Sequence, residues 1–476
     1  MKEKGKSSLS RRQFLRASAL AATGLAAVAC APQATSTPKA EEPAAGQVEP
    51  TATEASGPTP VPTAVVGEYG KSSKPVVMWG GLSGADGATF QKMLQNYTET
   101  NPDYAVRSET YVWDVLYQKL PTAIAAGTPP DMTVFHETEI EQFTRQGLLM
   151  PLDDIMYDTG LIPEDDFAPA VIEAVTVDGK KMCVPFDNHG WVCFINTKVI
   201  QDAGLDPENM PKNGTEFIDW AIKVTTDESG KHPDEDGFNP DKVKVWAFYH
   251  TWPRFTIPST LRQFGTDLIT KDRTKSLLDS PEAIAAVQYW YDLMYKYRVC
   301  PPAVPGIPWA GDVYKNNGLA VMWEGSWSLN FFRDNPDSQA VTKAMFLNSL
   351  APDGKQSCKI GIHTLSIPTG VKEDGVKRAS HLIKWLSDNG EFWATSGQVP
   401  ARLSVQNSKT VQDGWSTRVA AEEFSKIGQP DVTHKAYTEI QQTWEAAVSA
   451  ALANTQPLKE AMVEGSKQVQ AILDRP

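Results

Sequence analysis

Beyond its first thirty residues this 476-residue chain has no apolar run near the roughly 20 residues that a membrane-spanning helix needs, which excludes a permanent helical span there. Positive charge is also short. Lys and Arg number 45 against 58 Asp and Glu, a formal net charge of −13. Nucleic acid or an anionic membrane face needs a basic footprint, and this balance denies it. Cysteine is sparse, with five residues in all. Beyond Cys30, four remain, Cys183, Cys193, Cys300 and Cys358, which allow three pairings or none. Cys183 and Cys193 flank what reads as a turn between two strand-like runs, so a cross-strand bridge and four buried thiols both stay open. No internal repeat is present.

Signatures of covalent chemistry are incomplete. His136-Glu137 begins like the helix of a zinc protease, but position 140 is Ile where a second His belongs. Ser326 lacks the bracketing glycines of a nucleophile elbow. The glycine-rich turn Gly80 to Gly87 lacks the Lys and hydroxyl residue of a phosphate loop. The adjacent acids Asp153 and Asp154, like Asp165 and Asp166, point in different directions and suit helix caps or solvent. An acidic loop of Asp234, Asp236, Asn239 and Asp241 resembles part of a calcium site without its full ligand spacing. The expectation is therefore a protein that is not an enzyme and carries no cofactor.

What is present begins with an address. Arg11 and Arg12 in the block Ser10 to Arg16 precede a short apolar run, Leu20 to Val28, that ends at Ala29-Cys30. Paired arginines ahead of such a run form a twin-arginine export signal, and a small residue before cysteine is how a lipoprotein cleavage site ends. Ala27 stands where Leu is more usual. Residues 1–29 are thus expected to be removed and Cys30 to be acylated, with two chains meeting the requirement for stable anchoring to the outer face of the cell membrane. From 30 to about 70 the chain is rich in Pro, Thr, Ala, Ser and Glu. Such a segment cannot bury enough apolar surface to offset the entropy of ordering it, so it reads as an extended tether.

The remainder alternates strand and helix patterns. Lys74 to Trp79 reads as a strand, Phe90, Met93, Leu94 and Tyr97 fall at helical spacing, and Asn101-Pro102 stops the helix. Tyr104 to Val112 has strand character, Leu116, Leu120 and Ile124 mark a second helix, and Asp131 to Phe135 is another strand. Alternation of this kind implies an α/β fold with a parallel sheet covered by helices. Further on, Ser280 and Pro281 suit the N-cap and first residue of a helix carrying Ile284, Val287, Tyr291 and Met294, and Leu458 to Leu473 supports a terminal helix.

Several phrases, in order, resemble the extracellular solute-binding proteins of family 1, the sugar-capturing subunits of ABC importers, of which the maltodextrin-binding proteins are members. They are Asn101-Pro102-Asp103, Ala125 to Asp131 (AAGTPPD), Gly147 to Asp154 (GLLMPLDD), Asp178 to Phe186 (DGKKMCVPF), Asn196-Thr197-Lys198, Asn317 to Trp327 (NGLAVMWEGSW) and Ile367-Pro368. The resemblance implies two α/β lobes of the type II periplasmic-binding-protein fold, joined by a hinge, with ligand in the cleft between them. On this reading residues 71–186 and 345–405 form one lobe, and 187–344 and 406–476 the other. The hinge crossings fall near Pro185 to Asp187, Met345 and Arg402. It also implies a monomer that hands its ligand to a membrane permease driven by a cytoplasmic ATPase.

A sugar presents hydroxyls at its edge and C–H patches on its faces, which call for planar hydrogen-bonding groups and flat aromatic ones. The chain has 14 Trp, which favours a carbohydrate over a metal ion. Trp327 is the foremost candidate, since a glycine precedes it after the apolar run Leu319 to Met322 and its counterpart in the maltodextrin-binding relatives stacks on a sugar ring. Trp323 and Glu324 lie on the same turn. Asn188 and His189 sit at the first crossing, and His136 and Glu137 close a strand whose end is where open α/β sheets hold ligands. Ser83 and Asp86 in the glycine-rich turn, Trp252 and Arg254 after a strand-like run, Trp309 in a Pro-rich stretch, His363, Arg402 and Trp444 complete the set. The rival ligands are another polar solute, such as a polyol, a glycerophosphodiester or a peptide. A tethered glycoside hydrolase is the rival of another class, and it needs two opposed carboxylates across one sugar.

Overall fold

The computed structural model describes residues 64–84 and 86–475. The export signal, Cys30 and the greater part of the tether lie outside the described residues. The tether reading extends to about Gly70, but Val65–Gly70 forms a strand, β1, that pairs antiparallel with Ala105–Thr110 (β3). Its side chains are largely exposed, so it is held by main-chain hydrogen bonds rather than by burial, and composition carries no trace of that.

Val76–Gly80 (β2) pairs in parallel with β3 and with Met132–His136 (β4). Helix α1, Gly87–Thr100, turns Phe90, Met93, Leu94 and Tyr97 to one face of this sheet, the spacing of a single helical stripe. It stops at Asn101, whose side-chain amide donates to the carbonyl of Tyr97 at 2.8 Å, before Pro102 forbids a further turn. On the opposite face Trp113–Ala125 (α2) buries Leu116 and Leu120 beside Phe143 of Ile140–Arg145 (α3). The parallel, two-faced arrangement expected of the alternating pattern is present.

Val184–Asn196 (β5) is the spine of the molecule. All thirteen residues are buried. Val184 and Phe186 belong to the core under β2 and β4, whereas Trp191 to Ile195 belong to a second, larger core. In that larger core Pro253–Gln263 (α4) packs against β5 and against Pro281–Tyr295 (α5), whose Trp290 meets Trp323 of Val321–Gly325 (β6) at 6.0 Å, and β6 and Thr342–Met345 (β7) flank β5. Ser280 caps α5 by accepting from the amide of Ala283 at 3.1 Å, with Pro281 at its first position. Cys358–Ser366 (β8) runs antiparallel to β5 and also pairs with β4, closing the order β1-β3-β2-β4-β8-β5-β6.

The turn expected between Cys183 and Cys193 is therefore continuous strand. Ten residue steps, almost all within the strand, separate them by about 33 Å, against the roughly 7 Å between Cα atoms that a disulfide tolerates. Both thiols, with those of Cys300 and Cys358, are free and buried. Core membership also locates the passages between lobes. The first lies between Phe186 and Trp191 on β5. Met345 pairs with Cys193, and Leu347, Leu350 and Ile360 join the larger core, whereas Ile362, two residues on along β8, belongs to the smaller one. Over residues 393–411 membership alternates, with Trp393 and Ala401 in the smaller core and Ala394, Val399 and Val411 in the larger. Helices Glu373–Asp388 (α6), Tyr437–Leu452 (α7) and Leu458–Leu473 (α8) complete the lobes, and no described helix is long and apolar enough to cross a membrane.

Candidate functional site

The three central strands bring distant polar residues into one row. His136 at the end of β4 registers with His363 of β8, which registers with Asp187 of β5, and His189 lies opposite Gly361 one step along. The His189 and His363 rings stack 4.0 Å apart, and His136 lies 4.9 and 5.3 Å from them. Asp187 is fully buried and takes the Nδ1 of His363 at 2.8 Å, the Nδ1 of His189 at 3.1 Å and the indole N–H of Trp393 at 2.6 Å. Burial works to raise its pKa, but the charge of His363 and the hydrogen bonds from both imidazoles outweigh that and hold Asp187 well below the ordinary range. The same partner raises His363 against the desolvation that would lower it. His189 is pushed down to about 4 by burial and by the charge of His363, and His136 falls well below its ordinary value for the same reasons.

Two tryptophans bracket this row, one from each lobe. Trp113, at the start of α2, lies over Gly81, stacks on His363 at 5.5 Å with 15° between planes, and stands 4.2 Å from His136. Trp327, which follows β6, lies over Gly325 with Trp191, Phe255 and His189 at 5.5, 5.6 and 5.9 Å. Both indoles are half-buried. A methyl group on either glycine would overlap the ring above it, so each glycine is what lets an indole lie flat at the end of its strand.

The cleft beside the row holds about 110 Å³. Asp114, Tyr117, His136, Glu137 and Glu139 line it from one lobe, Arg254, Phe255, Lys359, Tyr437 and Gln441 from the other. It is narrow against the roughly 300–1,000 Å³ of small-molecule sites, so the lobes stand close together. Contacts bridge them: Arg273 pairs with Glu141, the amide of Thr438 donates to Gln142 at 3.3 Å, and Gln398 links Asp86 to Ser326, each at 2.8 Å. Burial lifts Glu137 to about 8 and Glu139 to about 7. One Glu137 oxygen accepts the amide of Ile362 at 2.6 Å, and the other is buried without a partner.

A second hollow, about 240 Å³, lies in the larger lobe between Tyr249 to Trp252 and Pro301 to Ala310. Here Glu324 accepts from the indoles of Trp252 and Trp309, each at 3.3 Å, and from the amide of Gly325 at 2.9 Å. Burial lifts its carboxyl to about 7. Trp252 and Trp309 are 52% and 40% exposed, large apolar faces to leave in water. Trp252 also has φ of 33°, a left-handed conformation that a bulky side chain rarely adopts.

Of the residues singled out from sequence, His136, Glu137 and His189 line the cleft, with Arg254 on its wall beside Glu445, and His363 and Trp327 lie behind them in ring contact with His189. Asn188 is buried on the same strand. Trp252 and Trp309 line the second hollow, Glu324 accepts from both of them, and Asp86 belongs to the bridge between lobes. Trp323 is wholly buried in the larger core, its N–H on Asn348 at 2.9 Å, and Trp444 lies 1% exposed in the same core. Arg402 pairs with Asp166 at 2.6 Å and Asp388 at 2.7 Å, and Ser83 is exposed in its turn. Asn239 caps its own loop by accepting from Asp241, and Asp234, Asp236 and Asp241 are exposed. Tyr117, Phe255 and Lys359 line the cleft and Trp113 lies against His136, and none of the four is in the set drawn from sequence. For Trp113 the signal was available: an indole directly after a strand, with Gly80-Gly81 ending the neighbouring one.

The family model for bacterial extracellular solute-binding proteins matches residues 81–391. Among curated proteins, a putative binding protein of Brucella abortus is 27% identical over 338 residues, 70% of this chain and 68% of its own length. The diacetylchitobiose binding protein DasA of Streptomyces coelicolor is 22% identical over 363 residues, covering 75% of this chain and 78% of that protein. Among solved structures, maltose-bound MalE3 of T. maritima aligns with a TM-score of 0.72 at 22% identity, covering 84% of this chain and 99% of that one. The mixed α/β, two-lobed fold is thus shared with maltose-binding-protein-like structures.

Proposed function

The chain belongs to the bacterial extracellular solute-binding protein family, and from that premise we propose that it captures a carbohydrate, mono- or oligosaccharide, outside the cytoplasm and delivers it to the permease of an ABC importer. The single observation that carries the reading is the pair Trp113 and Trp327, indoles from opposite lobes flanking a polar floor. Flat rings suit the C–H faces of a sugar, and the histidines, Glu137 and Lys359 offer donors and acceptors to its edge. The narrow cleft and its bridging contacts represent the shut arrangement, so a solute enters when the lobes part and is held when they close.

On this reading Cys30 carries the lipid that keeps the monomeric receptor at the outer face of the membrane, and no covalent chemistry takes place in the cleft. The sugar-binding names of the relatives support the ligand class. The test is an oligosaccharide panel incubated with the purified protein. The expected result is a raised melting temperature and a tryptophan fluorescence change without turnover; ligand at a hundred times its Kd stabilises by about 2.7 kcal/mol. Release of shorter sugars would mean a hydrolase, and no shift with any sugar would remove the carbohydrate reading.

A further inference from the structure

The chain has seven histidines, and three of them meet at one point. Each of His136, His189 and His363 offers a ring nitrogen, and the three nitrogens all lie within 4.8 Å of one another. Among the described residues, no other three His, Cys, Asp or Glu side chains gather in this way. The surroundings then divide the two nitrogens of each ring. Asp187 takes the Nδ1 of His189 and of His363, and the hydroxyl of Tyr117 is hydrogen-bonded with the Nδ1 of His136 at 2.5 Å. Among the described residues no hydrogen bond engages the Nε2 of any of the three, and that of His189 is buried with nothing to meet it.

This is how a metal centre is prepared. Imidazole ligands are fixed in tautomer and direction by a carboxylate or hydroxyl on the other ring nitrogen, which also makes the free nitrogen more basic. A buried acceptor without a partner costs stability, and a cation meets that cost. Zn–N bonds of about 2.0–2.1 Å put tetrahedral ligands about 3.4 Å apart, so the three nitrogens, now within 4.8 Å of one another, draw closer on binding. Gly361 provides the room, since a side chain there would overlap His189 Nε2. Imidazole suits borderline divalent ions better than magnesium or calcium.

We propose that His136, His189 and His363 bind one divalent transition-metal ion of the zinc class at the cleft floor, with Asp187 and Tyr117 orienting the ligands. His136 and His189 also line the cleft, so the fourth coordination position opens toward the bound solute. The site stands independently of the carbohydrate reading, because its ligands and their orienting partners come from the chain alone.

The test uses untagged full-length protein stripped with a chelator and then titrated with Zn²⁺ and Co²⁺. The expected result is one saturable equivalent per chain and, with Co²⁺, the visible absorption of a low-coordinate nitrogen site. His136→Gln and His189→Gln should each weaken binding at least a hundredfold while far-ultraviolet circular dichroism stays native. Because either variant can misfold, the cobalt spectrum of the unaltered protein stands as a separate criterion. No saturable equivalent, an octahedral aquo-like cobalt spectrum, or binding unchanged in folded variants would overturn the proposal.

Discussion

Replacing Glu324 by Gln should make stability less dependent on pH, in a direction set by burial. The carboxyl is 1% exposed, and burial lifts it from the ordinary 4.5 to about 7 despite three donors, Gly325, Trp252 and Trp309. A folded state whose carboxyl titrates higher than in the unfolded chain binds more protons between those two values. Its contribution to stability is therefore fully present below about pH 4.5 and is lost as pH rises through about 7. At about 1.4 kcal/mol per pKa unit the difference comes to about 3.5 kcal/mol, part of which is already lost by pH 5. Glu324→Gln keeps the shape and one acceptor but cannot ionise. Relative to wild type, it should be slightly less stable at pH 5 and gain up to about 3 kcal/mol in relative stability by pH 9. Urea unfolding of both proteins at the two pH values, with the midpoint converted through a common slope, measures the difference. A variant destabilised equally at pH 5 and pH 9 would refute the reasoning, since it would mean that Glu324 acts through its hydrogen bonds and not through the cost of its buried charge.

Trp327→Ala should weaken oligosaccharide binding ten- to hundredfold, about 1.4–2.7 kcal/mol by calorimetry, with little loss of stability because the ring is only half-buried. Trp444→Ala should do the reverse: about 3–5 kcal/mol of stability lost from a core position 1% exposed, with affinity kept in the folded fraction. Gly81→Ala should displace the Trp113 indole and lower affinity without touching the larger lobe, read by calorimetry and by a shifted tryptophan emission. Ellman's reagent should find Cys183, Cys193, Cys300 and Cys358 unreactive in the native protein and reactive in denaturant without prior reduction, since all four are free and buried.

The helices were legible because they rest on local pattern. The stripe Phe90, Met93, Leu94 and Tyr97, the stop at Asn101-Pro102 and the Ser280-Pro281 start all depend on neighbours within a few residues. The centre was not legible in that way. Asp187-Asn188-His189-Gly190 has the composition of a turn, yet it runs as strand because partners 176 and 206 residues away, His363 and Trp393, take the polar group of Asp187. Tryptophans divide for the same reason. Trp323 and Trp327 stand four apart on one phrase, and only Asn348 across the core and Gly325 beneath the ring decide which of them is interior. Trp113 is set over the row only by Gly81 and His363, both distant from it in sequence.

That β5 and β8 each run unbroken from one hydrophobic core into the other has a consequence for how the molecule comes apart. Melting either half strips ladder partners from strands that the surviving half still needs, and leaves it with a raw edge open to aggregation. Calorimetry should accordingly record a single cooperative endotherm rather than two, and a fragment cut at the waist should fail as an autonomous folder.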